Sequence, residues 1–149
     1  GNMNKDFAAL MVIHHKGAID MAELLLQKGE DAELKELAGN MIKEQQKEIG
    51  MFNSFLTTAS TTQSDNKFYE EVMQQMHKME LDNIDSASVD VQFVKLMIHH
   101  HQGAVDMSSS YLSSGAKDEK LRTMAAKIIE DQRKEIFIMQ DWLMKRNLN

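Results

Sequence analysis

Two stretches of this chain set paired histidines among methionines. Met11, His14, His15 and Met21 recur as Met97, His100, His101 and Met107. Imidazole suits copper, zinc, iron and nickel, whereas thioether sulfur is soft and selects Cu(I), so the combination points to a copper ion, with zinc as the alternative. Met11 with His15, and Met97 with His101, stand at i,i+4, the helical spacing at which two side chains can chelate one ion. His14 and Met21 lie seven residues apart, about 10.5 Å along a helix axis, and so bracket a site rather than share one ion. Met73, Met76 and His77 form a third cluster, less specific because methionine at helical spacing is also ordinary core filler. His99 extends the second pair to a triplet where the first has Ile13, and reads as an exposed accessory ligand.

Consecutive residues on a helix diverge by about 100°, so one histidine of each pair should face the interior and the other a groove or a neighbouring helix. The stripe through Met11, Ala18, Met21 and Leu25 runs close enough to His14 and His15 to bring both near the core. A buried imidazole left without a partner costs roughly 1–3 kcal/mol. Gln45, Glu48, Gln132 and Glu135 are natural partners, since Gln and Glu three apart share a face. Two readings therefore stand side by side: a purely structural His–Gln or His–Glu network, and a metal site. Gly17 and Gly103 interrupt helical stretches, each at a cost of about 1 kcal/mol relative to Ala. They fit close helix packing, or room for an ion or water beside the histidines.

The elements that must position these residues follow from periodicity. Phe7, Leu10, Met11, Ala18, Met21, Ala22 and Leu25 make a 3.6-residue stripe that predicts a helix over 4–28, ended by Gly29. Leu34, Ala38, Met41, Ile42, Ile49, Phe52 and Leu56 predict a second, with Gln45 its polar interruption. The small polar run 57–66 reads as a linker, 67–81 as a short helix, and Asp90 as an N-cap. Residues 7–21 then recur as 93–107 with nine identities in fifteen positions. The following helices also match, Gln45, Glu48 and Leu56 answering to Gln132, Glu135 and Leu143. The expectation is a single domain over 1–149, with repeats at 4–56 and 90–146. Two helical hairpins that cannot bury their stripes alone imply an all-α four-helix bundle, with the extra short helix between the repeats.

Composition narrows the function. There is no Cys, which removes thiolate nucleophiles, Cys-ligated zinc and iron–sulfur clusters. There is no Pro, and 13 Met stand against 1 Trp and 2 Tyr, a helix-forming composition with thioethers in place of aromatic plates. A net charge of −6 argues against nucleic acid as a partner, and the apolar runs are too short to span a membrane. No His has Glu three positions before it, as a di-iron helical bundle would require. Zinc-protease and phosphate-loop motifs are absent too, as is any nucleophile with a base.

The motif Met-x-x-His-His-x-Gly-Ala-x-Asp-Met, followed on the next helix by Gln-x-x-Glu-Ile, resembles the bacterial family called domain of unknown function 305. The resemblance covers nearly the whole chain in two copies, of which only 68–149 carries the Met-x-x-Met-His-x-Met lead-in. It implies a ferritin-like helical fold, export to the periplasm or cell surface and, for some members, copper binding. The family motif falls on Met11, His14, His15, Met21, Met97, His100, His101 and Met107. The functional expectation is a protein that sequesters or hands on Cu(I) without catalysis, its partners being the metal ion and a second copy or a metal-transfer protein. An interaction module with structural histidines is the alternative, and a metal-dependent redox enzyme the weakest reading.

Overall fold

The structure, a computed structural model, describes residues 3–58 and 88–148. The expected linker beyond Thr58 and the expected helix 67–81, with Met73, Met76 and His77, lie outside the described residues. Four long helices make up what is described: α1 (Met3–Lys28), α2 (Ala32–Thr58), α3 (Val89–Ser113) and α4 (Glu119–Lys145). No strand occurs among the described residues, so the all-α class read from the sequence is the class found. The chain forms two compact units, one of residues 8–93 and one of residues 1–7 with 94–149.

Within the 8–93 unit, α1 and α2 form a hairpin joined by a three-residue turn. Leu34, Ala38, Met41 and Phe52 of α2 are buried at helical spacing, and Gln45 occupies the same stripe with 3% exposure. Burial of such a stripe, rather than intrinsic propensity, provides most of a helix's stability. Gly29 closes α1 because nothing larger fits. A Cβ there would sit 2.6 Å from both Leu25 Cδ1 and Leu25 O, and 2.8 Å from Asp90 Oδ1.

Asp90 is the main departure from the sequence reading. It does not cap α3; it lies inside the first turn of that helix. Its carboxylate accepts hydrogen bonds from the backbone N–H groups of Glu30, at 3.0 Å, and Asp31, at 3.1 Å. The turn between α1 and α2 exposes consecutive amides with no helical acceptor, and one carboxylate satisfies both. Asp31 then caps α2, its Oδ1 accepting from Leu34 N at 3.0 Å.

In the other unit, α3 and α4 form the second hairpin. Leu121, Ala125, Ile128, Gln132, Ile136, Met139 and Leu143 are the buried stripe of α4, again with a glutamine among apolar residues. The connection turns at Gly115, whose φ of 82° favours glycine. Asp118 caps α4 by accepting from Leu121 N at 3.0 Å, and Arg122 Nη1 donates to the carbonyls of Leu112 and Ala116. Tyr111 stacks on Phe7 with ring centroids 4.3 Å apart, and its hydroxyl donates to Asn4 Oδ1. Burial is the larger cause of a phenol pKa above the usual value; the Asp118 charge adds to it and Arg122 opposes it.

Candidate metal site

Each hairpin places one histidine of its pair at the centre of its buried stripe. His15 is fully buried in the first hairpin and His101 in the second. His15 Nε2 lies 2.8 Å from Glu48 Oε1, and His101 Nε2 lies 2.6 Å from Glu135 Oε1. A carboxylate only accepts, so Nε2 carries the proton and donates in both pairs. In the neutral ring this leaves a lone pair on Nδ1. His15 Nδ1 and His101 Nδ1 are both buried without a hydrogen-bond partner among the described residues. A ring held at one nitrogen by a carboxylate, with the other nitrogen left without a hydrogen-bond partner, is an arrangement also found in metal-ligating histidines.

A soft donor stands one turn away in each case. Met11 and Met97 are both fully buried, four residues before His15 and His101. Gln45 Oε1 and Gln132 Oε1 are likewise buried without partners among the described residues. They lie on the same helix faces as Glu48 and Glu135, three residues away. Three or more His, Asp or Glu side chains do not converge anywhere among the described residues. Beside imidazole nitrogen, the donor types these positions offer are thioether sulfur and amide oxygen.

The remaining sequence candidates divide. His14 and His100 are buried at 5% and 8% exposure, so both members of each pair are inside, near the core as the stripe implied. The apolar face is wide enough to take in two consecutive residues, since such faces span 100° or more. Met21 is buried, Met107 half-buried and His99 exposed, and Gly17 and Gly103 are half-buried. Phe52, which sequence reasoning assigned only to the core, meets the His15 ring edge-on with centroids 5.9 Å apart. Its register gave the signal: Phe52 is one turn beyond Glu48 on the same face.

The fold and this site define a class: an all-α protein with two helical hairpins, each burying a carboxylate-anchored histidine four residues after a buried methionine. The chain belongs to the family described as Domain of unknown function (DUF305), whose model matches residues 4–143. Among solved structures, CopM in the Cu(I)-bound form is 31% identical over 95% of this chain and 96% of that one, with a TM-score of 0.74. CopM in the Cu(II)-bound form is 30% identical over the same shares, with a TM-score of 0.77. A DUF305 protein from Streptomyces coelicolor is 22% identical over 99% of this chain and 96% of that one; its TM-score of 0.80 bears on the fold alone. No curated protein matches the chain.

Proposed function

We propose that this protein binds copper as cargo, taking Cu(I) at its buried His–Met pairs and sequestering it or handing it on, without turnover, in the periplasm or at the cell surface. The observation that carries this reading is the pair of fully buried imidazoles, His15 and His101, whose Nε2 atoms are held by Glu48 and Glu135 while Nδ1 has no partner among the described residues. An unpartnered buried acceptor is unfavourable in a purely structural histidine and useful in a ligand. The likeness to CopM, solved in Cu(I)-, Cu(II)- and Ag-bound forms, supports the same direction.

A second reading, structural His–Glu pairing inside an interaction module, is favoured by the short Nε2–carboxylate contacts themselves. Anaerobic titration of the metal-free protein with Cu(I) against a coloured chelator, run in parallel with Zn(II), separates the two. Competition by the protein for Cu(I), with a higher melting temperature once loaded, supports the copper reading. Failure to compete leaves the histidines structural.

A further inference from the structure

The two hairpins are not chemically equal, and the difference lies one turn beyond the anchoring carboxylates. In an antiparallel hairpin, residues whose numbers have the same sum sit at the same level. The His15–Glu48 contact fixes that sum for the first hairpin and puts Met11 level with Phe52. The His101–Glu135 contact fixes it for the second and puts Met97 level with Met139. Phe52 and Met139 are both fully buried. Phe52 meets the His15 ring edge-on, so a side chain at this position reaches the imidazole.

Side chains on a helix lean toward its N-terminus. His101 therefore leans along α3 toward the level of Met97, while Met139 leans along α4 toward the level of Glu135. The Met139 thioether and the imidazole with the unpartnered Nδ1 thus lean toward one another in the second hairpin, with the buried Met97 one turn before His101 on the same helix face. In the first, the corresponding place is filled by a phenyl ring that offers no lone pair.

Resting on the copper reading above, we infer that the two hairpins bind Cu(I) unequally, and that Met139 is the residue that makes the difference. The second hairpin supplies Met97, Met139 and His101 and fills first. The first supplies Met11 and His15, with Phe52 as a wall, and fills later. Soft monovalent ions gain from each added thioether, so the inequality holds equally for Ag(I).

The test follows the methionine methyl groups of the full-length protein by NMR, with Ag(I) as a redox-inert probe added in sub-stoichiometric steps, resonances being assigned by single substitution. Signals of Met97 and Met139 should shift in the earliest steps, before that of Met11. Met139→Leu keeps the volume and removes the sulfur. It should weaken binding at the second hairpin by roughly 10-fold or more, at least the effect of losing an outer partner of a metal ligand. Phe52→Met should bring the Met11 shift forward to the earliest steps. Simultaneous shifts of Met11 and Met97 in the parent, or a Met139→Leu variant that binds as the parent does, would overturn the inequality while leaving the copper reading intact. No response of any of these methionines to Ag(I) would overturn both.

Discussion

Replacing Glu135 by Ala should separate a structural histidine from a ligand. In the folded protein His101 Nε2 donates to Glu135 Oε1 across 2.6 Å, the two side chains being 0% and 13% exposed. Without the carboxylate, a buried donor loses its acceptor, at a cost of about 1–3 kcal/mol. For a chain of this length each kcal/mol lowers the melting temperature by about 2–4 °C, so the metal-free variant should melt roughly 2–12 °C lower. The ring also loses the anchor that fixes its tautomer, and Cu(I) affinity should fall about 10–100-fold. Glu130→Ala is the control on the same helix. Its partner Lys134 is 69% exposed and Glu130 itself 66%, so the pair contributes little, about 0.5 kcal/mol or less. Paired thermal melts and chelator competition on both variants give the comparison. If Glu135→Ala and Glu130→Ala are indistinguishable in both assays, the claim that Glu135 fixes the His101 ring is wrong.

Further outcomes follow from the same contacts. Combined His15→Ala and His101→Ala should abolish tight Cu(I) binding in the competition assay, whereas Gln45→Ala should weaken it only modestly; unchanged binding by the double variant would remove both rings as ligands. Asp90→Ala leaves the amides of Glu30 and Asp31 without their carboxylate, a loss of about 1–3 kcal/mol. Hydrogen exchange at those two amides should accelerate, and unchanged exchange would argue against the cap. Tyr111 has a folded pKa raised above its unfolded value, so its stabilisation is complete below about pH 10 and is lost as pH rises through the raised value. Urea melts across that alkaline range should show a decline in stability that Tyr111→Phe reduces, and an equal decline in both proteins would contradict the assignment.

Periodicity carried most of the fold. Leu34, Ala38 and Met41, with their counterparts Leu121, Ala125 and Ile128, are spaced for one helix face and are buried on it. Glu48 and Glu135 were legible as histidine partners because they share a helix face with Gln45 and Gln132. Asp90 was misread because N-cap preference is a local signal, whereas its actual donors belong to a turn 60 and 59 residues away in sequence. The roles of Phe52 and Met139 were hidden for a different reason. An apolar residue in a core stripe reads as packing until the register of the hairpin is known, and one His–Glu contact sets that register. Which histidine of each pair faces the centre of the hairpin was likewise open, since a helical wheel places both near the core but does not give the width of the buried face.

The most direct measurement is X-ray absorption at the copper K-edge on protein loaded anaerobically with one equivalent of Cu(I). A first coordination shell that needs both sulfur and imidazole nitrogen scatterers, and that loses its nitrogen component when His15 and His101 are replaced together, is the expected result. A shell made only of nitrogen and oxygen, unchanged in that double variant, would contradict the assignment of the buried His–Met pairs as the copper ligands.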